Sequence, residues 1–169
     1  SQKLVGVDKI PVPTKHATDD DWNAVYEKLG RPKTAADYQY NLGEGSKVDE
    51  NTIKAFSEEA HKLGLLPQQA EGILKYYNKV GEAADASNEA RAETYRLESE
   101  TELRKEDGPA YDLKISAAKN LASNTLGSDF LRNTILNDGS RLGDNPNVVR
   151  AFANLAEKLS EDTIVQGDT

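Results

Sequence analysis

The chain contains no cysteine and no methionine, and its 169 residues include one tryptophan and three phenylalanines. Without cysteine there is no disulfide framework and no thiolate metal site. No apolar run approaches the length that spans a bilayer, and no stretch has the layout of a signal peptide. Basic charge is also in short supply. With 21 Lys+Arg against 29 Asp+Glu, the net charge is −8 and the pI is near 4.9. That balance argues against a nucleic-acid groove or an anionic membrane as the main partner. Hydrophobic residues make up 37% and mean hydropathy is −0.72, lean for a compact globule yet richer than a disordered chain. Position one is serine, and the end SEDTIVQGDT has no capping or anchoring feature. The expectation is a piece cut from a longer chain.

What is present is helix-forming sequence, organised around the stretch from Pro67 to Gly108. It holds no internal proline and two internal glycines, Gly72 and Gly81, among residues that are mostly good helix formers. Leu66-Pro67 breaks any helix arriving from upstream, and Gly108-Pro109 supplies a stop. One very long helix is predicted, about 40 residues reaching roughly 60 Å. Its halves differ. Ile73, Leu74, Tyr76, Tyr77 and Val80, followed by Ala83 and Ala84, have the three-four spacing of a helix with one buried face. From Asp85 to Asp107 the large apolar residues thin to Tyr95, Leu97 and Leu103, and acids outnumber bases by eight to four. This half reads as an exposed arm, solvated and laced with intrahelical ion pairs.

In chain order, residues 1–17 form an extended, proline-containing arm whose Leu4, Val5, Val7 and Ile10 can lie across a neighbouring surface. Residues 18–84 form an N-terminal helical domain. Thr18 caps a helix with Asp19, Asp20 and Asp21 in its first turn, so helix capping rather than a metal cluster explains the acids. Trp22, Val25, Tyr26 and Leu29 share a face, and Gly30 stops the helix before Arg31-Pro32. Tyr38 and Tyr40 are packing residues. Asp49 caps a helix to Leu63 with the stripe Ile53, Phe56, Ala60 and Leu63. Gly64 and Leu65-Leu66-Pro67 turn it into the long helix, with Phe56, Leu63, Leu65, Leu74 and Tyr77 as the expected hairpin core. Residues 85–108 are the exposed half of the long helix. Residues 109–162 form a C-terminal helical subdomain: a helix from Ala110 to Leu126, a short one holding Phe130, Leu131, Ile135 and Leu136, and an amphipathic one from Pro146. Residues 163–169 read as a flexible tail. No segment of useful length has strand periodicity, so the fold class is all-α.

Chemistry finds little foothold. His16 and His61 each stand alone, without the second histidine four residues away that a zinc-protease helix requires; both read as solvated surface residues. Gly45-Ser46-Lys47 inverts the order that a phosphate loop needs and follows no strand. Ser116-Ala117-Ala118-Lys119 matches Ser-x-x-Lys, but its companion motifs are missing. Asn137-Asp138-Gly139-Ser140 fails calcium-loop spacing. No catalytic, cofactor-binding or metal residue is assigned, and no enzyme activity is expected.

The order of segments resembles a group of tailed-bacteriophage head proteins, the scaffolding or capsid-assembly proteins of head morphogenesis. The likeness runs over roughly residues 9 to 162 and rests on Leu29-Gly30-Arg31-Pro32 with Tyr38, Gly64-Leu65 with Gln69-Ala70, and Gly143-Asp144-Asn145-Pro146. One departure is Asp107, where the family pattern places a tryptophan before the glycine of the turn. The resemblance implies a non-enzymatic role, helping coat subunits close into a procapsid and then leaving. It implies a phage coat or portal protein as partner and a location in the cytoplasm of an infected bacterium, inside the procapsid. Self-association is expected from the long helix itself, since an arm of this length rarely stands alone. A virion structural or ejected internal protein is the alternative; its DNA-contacting form would need a basic face, which this sequence lacks. Salt-sensitive contacts between acidic arms and basic coat surfaces are the expected mechanism. Within the exposed half, Tyr95, Leu97 and Leu103 are the expected partner-binding residues. Heptads are not sustained long enough for a coiled coil.

Overall fold

The computed structural model describes residues 9–167 and is all-α, with one long helix midway along the chain. Its helices are α1 (Asp19–Leu29), α2 (Glu50–Lys62), α3 (Pro67–Asp107), α4 (Tyr111–Leu126), α5 (Ser128–Asn133) and α6 (Pro146–Gly167). Short 3-10 turns occupy Ala35–Asp37, Gly108–Ala110 and Leu142–Asp144. Among the described residues the β pairing is one isolated bridge, Ile135 to Arg141. The chain divides into two compact units between Ala83 and Ala84, and α3 contributes to both.

In the first unit the caps act as the residue types require. The Thr18 hydroxyl accepts from the Asp21 N–H at 3.3 Å, while the Asp21 carboxylate accepts from the Thr18 N–H at 3.0 Å, a closed capping box. Gly30, at φ +110°, ends α1. Arg31 follows with its side chain buried, donating from one nitrogen to Asn23 Oδ1 at 2.9 Å and to the His61 carbonyl at 3.0 Å. Its guanidinium lies 5.5 Å from the Tyr26 ring centre. One cation thus ties α1 to the end of α2. The core beside it holds Tyr38, Ala60 and Ala70, with Tyr40, Phe56 and Leu65 packed against them. Tyr38 donates to the Leu65 carbonyl at 2.6 Å. Ser57 spends its only hydroxyl proton on the Ile53 carbonyl at 2.7 Å, so Tyr40 must be the donor in its 2.6 Å bond with Ser57.

The second unit packs α4 against α6 over a core of Leu103, Tyr111, Ala118 and Val149, joined by Ile115, Phe152 and Ala153. The α3 side of this unit presents Ala92, Ser99 and Leu103, all buried, at i, i+7 and i+11. Gly108, at φ +53°, turns the chain from α3 toward α4. Between α5 and α6 the backbone folds back in a narrow loop, with Leu142 N–H to Thr134 and Leu136 N–H to Ser140, both 2.8 Å. Asn145 Oδ1 then accepts from the N–H groups of Asn147 and Val148, at 2.9 and 3.2 Å, and so caps α6.

Several expectations need correcting. Residues 85–108 are not an arm left wholly to solvent, because Ala92, Ser99 and Leu103 are buried, Leu103 in the second core. Leu63 and Tyr77, expected in the hairpin core, are exposed, whereas Leu74 is buried as expected. Ile135 and Leu136 lie in the narrow loop, since α5 ends at Asn133. His61 is half-buried and its Nε2 lies 2.9 Å from the Pro32 carbonyl and 3.1 Å from that of Lys33. An N–H there serves both acceptors, which makes His61 a clasp on the chain after α1 rather than a solvated side chain. Helix α6 continues to Gly167, past the expected end at Asp162. The expected contacts of Leu4, Val5 and Val7 lie outside the described residues.

Gly64 carries a double requirement. It sits at φ +77°, and a Cβ there would lie 2.4 Å from atoms of the Tyr26 ring. Gly64→Ala is expected to lower stability by about 2–3 kcal/mol, adding a clash to left-handed strain. Urea unfolding followed by the fluorescence of Trp22, which stacks on Tyr26 at 5.9 Å, reads this unit directly.

Candidate interaction surfaces

The three residues expected to meet a partner have different fates. Leu103 is 3% exposed and belongs to the second unit's core, so it is withdrawn as a contact. Tyr95 is half-buried, and Leu97 is 50% exposed. They do not form a joint apolar face.

The exposed apolar face lies at the other end of α3. Ile73, Tyr76, Tyr77 and Val80 are 46, 68, 57 and 48% exposed, although they stand at i, i+3, i+4 and i+7. The sequence reads them as a buried stripe. The first unit instead buries Ala70 and Leu74 on an adjacent strip of the same helix. Lys75 is held back to Glu71 at 2.9 Å and the Asn78 amide donates to Glu82 at 3.2 Å, so neighbouring polar groups are tied along the helix. Two tyrosines and two aliphatic side chains are left as a ridge. Rings with a polar tip are the residues that protein contact surfaces favour.

The second unit carries an open cleft of about 700 Å³. Its apolar floor comes from Ala118 and Ala122 of α4, Leu131 of α5, and Val148, Val149 and Phe152 of α6. Its rim is charged, with Arg96, Lys119, Arg132 and Arg141 set against Glu89 and Asp144. Arg141 donates to Glu89 and lies 3.9 Å from Asp144; Arg96 grips Glu93 at 2.6 Å and reaches Glu100 at 3.4 Å. Burial pushes the Asp144 carboxyl above its ordinary value, against the pull of Arg141, Arg96 and Lys119. Gly143 belongs to this wall: a Cβ there would come within 3.1 Å of Leu131 Cβ.

Chemistry remains unsupported at either surface. Among the described residues no group of three or more His, Asp or Glu side chains is placed to hold a metal ion. No helix among them is long and apolar enough to cross a membrane. His16, exposed, has its backbone N–H against the Thr14 hydroxyl at 3.3 Å, far in sequence from the His61 clasp. No family model, curated protein or solved structure matches the chain.

Outside the cleft, Arg150 of α6 bridges two acids of α3, donating to Glu102 at 2.5 Å and to Glu106 at 2.5 and 2.9 Å. These bonds hold the Glu106 carboxyl below the usual carboxylate range and raise Arg150. A lowered carboxyl contributes stability above its unfolded value and loses it as pH falls through the lowered one. The loss in Arg150→Ala, followed by urea unfolding below about pH 4, is therefore expected to be shallower than in the parent chain.

Leu103 and Leu97 give a second comparison. Leu103→Ala is expected to cost about 2–4 kcal/mol, a core truncation, while Leu97→Ala stays within about 0.5 kcal/mol. Equal effects in urea denaturation would refute the assignment of Leu103 to the core.

Proposed function

We propose that this protein is a non-enzymatic assembly factor, a scaffolding protein of phage procapsids, which works through protein–protein contacts of its helices. The observation that carries the reading is the exposed ridge Ile73, Tyr76, Tyr77 and Val80 on the longest helix. A ridge of this kind fits an interface between proteins and offers no chemistry of its own. The resemblance of the segment order to phage scaffolding proteins supports the same reading. So does the acidic, aromatic-poor composition, which favours contacts that are weak and salt-sensitive. On this reading the contact residues are Ile73, Tyr76, Tyr77 and Val80 in place of Tyr95, Leu97 and Leu103. The partners are further copies of the chain and a coat or portal protein, inside the procapsid in an infected bacterium.

Sedimentation of the chain at several salt concentrations, alone and mixed with phage coat protein, tests the proposal. Reversible oligomers and a salt-dependent complex with coat protein are the expected results. Tyr76→Glu together with Val80→Glu should return the chain to monomer without changing its helical circular dichroism. A strict monomer that ignores coat protein at every salt concentration would overturn the assembly reading.

A further inference from the structure

We propose that the cleft of the second unit, with the apolar stripe that leaves it along α6, is a groove for an acidic amphipathic helix of a partner protein. This deepens the assembly reading and rests on it, in naming the chemistry of one partner element.

The groove is longer than the cleft. Val148 and Phe152 line the cleft, and Leu155 and Leu159 continue from them at spacings of four, three and four residues. In an α-helix these four positions share one face. Leu155 and Leu159 are 49 and 53% exposed, so the apolar surface runs on for two turns beyond the cleft. A small molecule would fill the cleft and leave those leucines bare. A helix laid along α6 with its own three-four stripe would cover both, which is how amphipathic helices occupy grooves.

Charge sets the sign of the occupant. Four cations and two acids rim a cleft in a chain whose net charge is −8. Arg96 and Arg141 are already committed to Glu93, Glu100, Glu89 and Asp144. Among the described residues Arg132 pairs with Asp129, one turn away on its own helix and exposed. Lys119 has no acid within ion-pair distance among the described residues, and its charge acts on Asp144 from further off. Of the rim cations, Lys119 and Arg132 are thus the least committed to acids of their own chain, and they are where carboxylates brought in from outside would bind.

The test titrates the full chain, by fluorescence anisotropy, into a labelled synthetic helix of about three turns with leucines at three-four spacing and glutamates beside them. The counterpart replaces each glutamate by lysine. The glutamate peptide is expected to bind, more weakly as salt rises. Its dissociation constant should rise by at least about tenfold in Lys119→Glu/Arg132→Glu and again in Leu155→Asp/Leu159→Asp, with circular dichroism unchanged. All four side chains avoid the buried core, so folding is spared. Failure of the glutamate peptide to bind would overturn the groove, as would equal binding of the lysine peptide or indifference to the four substitutions. A shift in the sedimentation of the chain alone on Leu155→Asp/Leu159→Asp would also overturn it, by making this face a contact between copies. A chain that still oligomerises while ignoring the peptide keeps the assembly reading and loses the groove.

Discussion

Small side chains on the second half of the long helix set the terms for everything that packs against it. Ala92 and Ser99 are buried there with Leu103 as the one large apolar residue. Small residues allow elements to approach closely, yet they remove little apolar area from water, and hydrophobic stabilisation scales with that area. The unit therefore draws on polar ties as well. Arg141, from the loop before α6, reaches Glu89, and Arg150, on α6, reaches Glu102 and Glu106. The acid surplus of α3, which as a sequence describes a solvated arm, supplies the partners for these two arginines. Each exposed pair is worth little by itself. Their value lies in fixing which face of α3 the loop and α6 meet, and Arg104 adds to it by standing 4.3 Å over the Tyr111 ring.

The first unit solves a similar shortage differently. Its core sets the small Ala60 and Ala70 against Tyr38, and its ties are hydrogen bonds from aromatic and cationic groups to backbone carbonyls. Arg31 and His61 exchange across the same junction: the arginine donates to the His61 carbonyl, and the His61 ring meets the carbonyls of Pro32 and Lys33. Tyr38 closes the junction through the Leu65 carbonyl. The sequence Leu29-Gly30-Arg31-Pro32 followed by Tyr38 is thus a structural device. The glycine ends the helix, the arginine pins it to α2, and the tyrosine anchors the turn into α3.

Local signals were legible in the sequence because they depend on neighbours a few residues away. Thr18, Asp49, Gly30, Gly64 and Pro146 cap or stop helices where their chemistry says they should. The length of α3 was legible for the same reason, since nothing between Pro67 and Gly108 breaks it. What covers each face was not. Helical spacing shows that Ile73, Tyr76, Tyr77 and Val80 share a side but says nothing of whether the chain supplies a cover. Conversely, Ala92, Arg96 and Ser99 carry no hydrophobic signal, so the face that does pack reads as polar. Ile135 and Leu136 looked helical by apolarity, yet Gly139 at φ +92° turns the chain back within a few residues. The charged cleft sets α3 against four successive segments between Ala118 and Phe152, and no single local pattern could assemble it.

On the proposed assembly reading, the two exposed surfaces bear on how the protein can bind firmly and still leave. A ridge of four side chains offers a patch on the order of a few hundred Å², below the roughly 800 Å² per partner of a standard stable interface. Alone it makes a weak contact. A second surface of different character, the cation-rimmed cleft on the other unit, would add an independent weak contact on the same reading. Linked contacts raise overall affinity through effective concentration without any single one becoming tight. The consequence is an asymmetry in release. Salt or a change of partner charge would weaken the charge contacts of the cleft more than the apolar contacts of the ridge, since screening acts on charges. Losing one of two weak contacts returns the whole to the affinity of the other. A molecule built this way needs no tight site to assemble and no large conformational change to let go.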